Sequence, residues 1–123
     1  MSRYRLAPLS GTREERTASL ARAFVAGETE PAIVDPTLGM VATDWQAPFG
    51  SNQGSQWTRR WVAVVADSGE VTIRAEIKVC RVYQGCSDLN QEGSSYDVEA
   101  LDAFARKVAA ALDTSVTVIP QSR

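Results

Sequence analysis

The stretch from Trp57 to Cys86, WTRRWVAVVADSGEVTIRAEIKVCRVYQGC, constrains this chain more than any other, because period-two alternation over that length implies a long antiparallel hairpin. Trp57, Trp61, Ala63 and Val65 alternate with Thr58, Arg60, Val62 and Val64, and Val71, Ile73, Ala75, Ile77 and Val79 alternate with Thr72, Arg74, Glu76 and Lys78. The connector Asp67-Ser68-Gly69 fits a three-residue loop with Gly69 in the left-handed conformation, so that Ala66 pairs with Glu70. Trp61 then faces Ala75 and Ala63 faces Ile73, and both apolar sets share one face. A two-residue loop would throw them onto opposite faces and set Arg60 across from Ile77. The three-residue register is therefore expected.

The rest of the chain supplies two helices and shorter strands. Thr12 with Glu15 makes a capping box, and Ala18, Leu20, Ala21, Phe24 and Val25 form an apolar stripe, which predicts a helix over Arg13 to Ala26 with Gly27 as its terminating glycine. Ala32-Ile33-Val34 and Met40 to Trp45 flank Asp35-Pro36-Thr37-Leu38-Gly39, whose Asp, Pro and Gly are placed for a turn, so a second hairpin is expected. Gln46 to Gln56 reads as a loop, as does Ser87 to Ser95. A second helix follows, capped by Ser94 or Ser95, with Asp97 and Glu99 in its first turn. Its buried stripe is Val98, Leu101, Phe104, Ala105, Val108, Ala111 and Leu112. Arg3 to Ala7 suggests a short edge strand, and Val116 to Ile119 a final one stopped by Pro120. The expected fold is a single α+β domain over residues 1–123, a two-layer sandwich in which an antiparallel meander of about four strands carries two helices on one face.

With 123 residues, the chain can bury roughly two-thirds of its unfolded surface in one core without a metal. Its formal charge of −2 is mixed in sign, and the one dense basic cluster, Arg59-Arg60, lies inside a strand. That disfavours nucleic acid as a partner. No apolar run approaches the ~20 residues needed to span a bilayer. Met1 to Arg5 is polar, so either the chain works in the cytoplasm or its numbering starts after a removed export signal.

The residues that usually carry chemistry are sparse. Without histidine, Ser-His and Cys-His nucleophile pairs and histidine metal sites are excluded within this chain, so no metal and no cofactor is expected. Asp35 with Asp44, and Asp97 with Glu99, are explained by turn initiation and by the helix dipole. Lys78 and Lys107, the only lysines, fall on solvated faces, and Gly50 to Gly54 precedes a strand, which denies it the helix N-terminus a phosphate loop needs. The chain is read as a non-enzyme. Cys80 and Cys86 flank a short Gly-containing turn, which is compatible with a disulfide and also with two small unpaired residues at a strand end.

Aromatic residues are the remaining indication of a site. Trp45, Trp57 and Trp61 surround the long loop that carries Phe49, so these four are the candidate binding residues for a peptide, glycan or protein. The competing expectation is that the tryptophans fill the interface between sheet and helices.

The run Ile33-Val34-Asp35-Pro36-Thr37-Leu38-Gly39-Met40-Val41-Ala42-Thr43-Asp44-Trp45, placed between a capped helix and an Arg-flanked hairpin, resembles the D-x-x-x-G-x-(V/I)-x-T-x-W segment of small α+β modules in bacterial outer-membrane lipoproteins of the BamC type. The chain departs from that pattern in showing no lipobox cysteine or signal segment. The resemblance implies a non-catalytic envelope component at the periplasm or outer-membrane periphery that mediates protein assembly. It also implies a Cys80–Cys86 disulfide and, upstream of Met1, a lipid anchor. Two readings follow: an envelope-associated module that binds a protein partner through the Trp/Phe region or a sheet edge, and a cytoplasmic small-ligand domain or minor enzyme with a pocket lined by Trp57, Trp61 and Phe104.

Overall fold

The long hairpin organises the computed structural model, which describes residues 3–46, 50–52, 55–81, 85–88 and 98–119. Strands β5 (Ser55–Val65) and β6 (Val71–Arg81) pair along their whole length in the three-residue-loop register, Trp61 opposite Ala75 and Ala63 opposite Ile73. The Ala66 amide donates to the Glu70 carbonyl at 2.9 Å, and Gly69 has φ 91°. A Cβ at Gly69 would lie 2.4 Å from the Leu9 carbonyl oxygen, so close approach as well as backbone conformation requires glycine there.

Shorter strands flank both halves of this hairpin. At the turn end, β3 (Met40–Thr43) pairs with β5 and with β2 (Pro31–Asp35), while β1 (Arg3–Leu6) pairs with β6 and with β8 (Val116–Ile119). At the open end, β4 (Gly50–Asn52) pairs with β5 and β7 (Gly85–Asp88) with β6. Among the described residues the sheet thus has eight antiparallel strands, ordered β2-β3-β5-β6-β1-β8 with β4 and β7 alongside the hairpin. The expectation of about four strands is an undercount, and β1 is interior, lying between β6 and β8, where an edge strand was expected. The meander holds from β2 to β6 and is then extended out of sequence by β1 and β8.

Both helices lie on one face. Helix α1 (Arg13–Ala26) starts at the expected capping box, with the Glu15 amide donating to Thr12 Oγ1 at 3.1 Å and the Thr12 amide to Glu15 Oε1 at 3.0 Å. Its end differs from expectation by one residue. Gly27 is right-handed at φ −84°, and Glu28 at φ 64° makes the left-handed step, with the Thr29 amide on the Phe24 carbonyl and the Glu28 amide on that of Val25. Helix α2 (Val98–Ala111) ends the same way through Asp113 at φ 53°. Its buried stripe is Leu101, Phe104, Ala105, Val108 and Ala109; Ala111, expected in that stripe, lies at its margin on the last residue of the helix and is exposed. The core joins Phe24, Phe104 and Trp61 with Tyr4, Leu6, Leu20, Val41, Ile73 and Val71. Phe24 meets Phe104 edge-on at 4.9 Å, and Trp61 stacks on Phe104 at 5.5 Å. Among the described residues no helix is long and apolar enough to cross a membrane.

The hairpin turn is latched to the N-terminal part of α1. The Arg13 guanidinium pairs with the Asp67 carboxylate and donates to the Thr37 carbonyl at 2.7 Å, while Arg16 donates to the Asp67 carbonyl at 3.0 Å. The Leu9 amide donates to the Gly69 carbonyl at 2.9 Å. These contacts tie the hairpin turn to the start of α1.

Candidate binding surface

Alternation along β5 and β6 gives the hairpin two different faces. Odd-numbered residues from Trp57 to Val79 face the helix side, where Trp61, Ala63, Ile73, Ala75, Ile77 and Val79 are buried. Even-numbered residues line the other side, to which neither helix packs. There the pairs Thr58–Lys78, Arg60–Glu76, Val62–Arg74 and Val64–Thr72 make a ladder of mixed charge broken by valines. Val62 and its β3 neighbour Ala42 are fully buried even so. Arg60 and Arg74, on neighbouring ladder positions, can lay their aliphatic stems over this strip while their charged heads stay near water.

Glu76 anchors the polar part of this face. Arg60 Nη2 lies 2.7 Å and Arg60 Nε 2.8 Å from Glu76 Oε1, and Arg74 Nη2 lies 2.9 Å from Oε2. Partial burial pushes the Glu76 carboxyl up, but the hydrogen bonds from Arg60 and Arg74, together with their charges, outweigh it and hold the group below the ordinary glutamate value. Both carboxylate oxygens are used, so the two guanidiniums keep fixed positions on the sheet.

Trp45 belongs to this face too. The Arg60 guanidinium lies 4.9 Å and the Lys78 ammonium 4.1 Å from the centre of its ring. Two cations against one indole hold Trp45 over the sheet, each such contact being worth about 0.5–1 kcal/mol at a partly exposed site. Asp88 occupies the ladder position opposite Lys78.

The three candidate tryptophans are therefore not one cluster. Trp61 is buried in the core on Phe104, with the Arg59 guanidinium 4.7 Å from its ring, and Arg59 Nε donates to Gln46 Oε1 at 3.0 Å. Trp57 shares the face of Trp61 and is half-buried. Trp45 lies across the sheet, and Phe49 falls outside the described residues. The strand ends at Thr43, two residues before Trp45, because the Thr43 hydroxyl accepts the Trp61 amide at 3.0 Å in place of a ladder carbonyl. Trp45 is thereby released from strict alternation. The Arg60–Glu76–Arg74 set was visible in the sequence only as alternating charge, since its members meet across strands.

Cys80 and Cys86 pair across β6 and β7 and are disulfide-bonded. Of the loop expected over Ser87 to Ser95, Ser87 and Asp88 belong instead to the short strand β7, and 89–95 lie outside the described residues. Among the described residues no three His, Cys, Asp or Glu side chains converge on a common point that could hold a metal ion.

No family model matches the chain, and no curated protein matches it. Among solved structures it is similar to a DUF4468 family protein from Bacteroides ovatus, with a TM-score of 0.39 and 13% identity, over 92% of this chain and 79% of that one.

Proposed function

We propose that this chain is a non-catalytic, envelope-associated binding module that meets a protein partner on the helix-free face of its sheet. The observation that carries this reading is the ordered array of Trp45, Arg60, Glu76, Arg74 and Lys78 on a face that neither helix covers. Aromatic and arginine side chains held in place by their neighbours are the groups that contribute most at protein interfaces, since little side-chain entropy remains to be lost. An envelope location is supported by the Cys80–Cys86 disulfide, because such bonds persist in oxidising compartments. The lipoprotein-like segment from Asp35 to Trp45 points the same way: Asp35 Oδ1 accepts the Thr37 and Leu38 amides at 3.0 and 3.2 Å, Gly39 takes φ 66°, and the segment delivers Trp45 to the array. In this proposal a lipid anchor upstream of Met1 would tether the module at the outer-membrane periphery.

The alternative, a small-ligand pocket between sheet and helices, is less well supported. The residues it would use, Trp61 and Phe104, are stacked on each other and buried. A photoreactive side chain introduced at Arg74 in cells of the source organism tests the proposal, with the same group at Arg22 on the exposed side of α1 as reference. The proposal expects a discrete protein adduct in the envelope fraction from position 74 and none from position 22. Adducts from both positions, or from neither, would remove the helix-free face as the binding surface.

A further inference from the structure

We infer that the β2 edge of the sheet is a second docking surface, and that its occupant is an extended apolar segment carrying a basic residue at one end. The strand β2 is terminal in the strand order, so among the described residues one side of its backbone is unpaired. Of the large apolar side chains that are exposed, Ile33 (37%) and Val34 (46%) are on this strand, Leu38 (63%) is in the turn that follows it, and Val25 (58%) is near the C-terminal end of α1, the helix beside it. Among the described residues Val118 alone belongs to the opposite edge. Ile33 and Val34, being adjacent, point to opposite faces, so a strand added here would find apolar contact on both sides. Pro31 and the register shift between Pro31 and Ile33 confine backbone pairing to Ile33–Asp35, so an added segment runs on unpaired past Pro31, alongside Glu28 and Glu30.

Charge selects the occupant. From Ala23 to Thr58 the sequence holds Glu28, Glu30, Asp35 and Asp44 but no lysine or arginine. Asp35 is occupied by the turn amides, and the one guanidinium that reaches this turn, Arg13, is committed to Asp67 and the Thr37 carbonyl. Glu28 and Glu30 are exposed, and among the described residues neither has a cationic partner within salt-bridge distance. Two copies joined antiparallel through β2 would bring Asp35 of one toward Glu30 of the other, and like charges so placed disfavour the pair. A strand whose basic residue lies opposite Glu28 and Glu30 has the complementary sign. This surface does not depend on the helix-free face being occupied.

Selection of random linear peptides displayed on phage against the immobilised full chain tests the inference. The enriched peptides are expected to be apolar, with Lys or Arg toward one end, to shift amide resonances of β2, and to bind Val34→Lys about tenfold more weakly. Changing both Glu28→Lys and Glu30→Lys is expected to reverse the charge preference, and it keeps the test open if Val34→Lys fails to fold by circular dichroism. Lack of enrichment, enriched peptides without a basic preference, or equal binding to folded Val34→Lys would overturn it. So would a dimer in sedimentation that Val34→Lys dissociates, since a second copy would then be the occupant.

Discussion

At the scale of single residues, Gly69 and Glu76 show what a sequence can and cannot say. The need for Gly69 was legible, because a three-residue loop between two alternating strands calls for a left-handed residue. What the sequence did not reveal is the Leu9 carbonyl packed against it. Gly69→Val is expected to destabilise the fold by at least about 2 kcal/mol in urea unfolding, through both positive φ and collision with backbone. Gly85→Ala is the control: it has φ 76° but open space around the missing Cβ, and should cost only about 1 kcal/mol. Glu76 was legible only as one member of a charge ladder, since its two arginine partners are brought to it by register. Its folded pKa is lowered, so the stabilisation it contributes is present above the ordinary glutamate range and is lost as pH falls through the lowered folded value. Glu76→Gln should remove about 1 kcal/mol at neutral pH and flatten the acid limb of the stability curve. Urea midpoints measured from pH 7 to pH 3 check both.

At the scale of elements, legibility followed the length of the repeating pattern. The hairpin and α1 extend over enough residues for periodicity and capping to fix them, whereas β4 and β7 are each so short, and so rich in Gly, Ser and Asn or Asp, that their sequences match those of loops. They become strands because β5 and β6 extend past their neighbours β3 and β1 and offer free edges there. The disulfide then closes the β6–β7 pair. A loop of this length predicts about 2 kcal/mol of stabilisation from restriction of the unfolded chain. Replacing Cys80 and Cys86 together by serine should lower stability by about that amount while leaving the near-ultraviolet signature of the Trp61–Phe104 stack in place. Phe104→Ala, which empties the centre of the core, should cost about 3–5 kcal/mol and abolish that signature.

Across the whole molecule, the fold rests on one hairpin whose two faces have separate fates. Helices α1 and α2 seal the face carrying Trp61, and the other keeps an ordered set of charges around Trp45. Fold class and the identity of the covered face could be read from alternation alone. Strand order could not, because β1 reaches its place between β6 and β8 through contacts that no local pattern encodes. Nor could the side on which Trp45 falls, since it lies beyond the end of β3, where alternation stops predicting orientation. Acrylamide quenching of two single-tryptophan variants tests the division of faces most directly. One retains only Trp61 (Trp45→Phe, Trp57→Phe) and the other only Trp45 (Trp57→Phe, Trp61→Phe). Trp61 emission should be blue-shifted and nearly unquenched, and Trp45 emission red-shifted and readily quenched. Equal quenching of the two, or a more accessible Trp61, would contradict the assignment of the sealed and open faces.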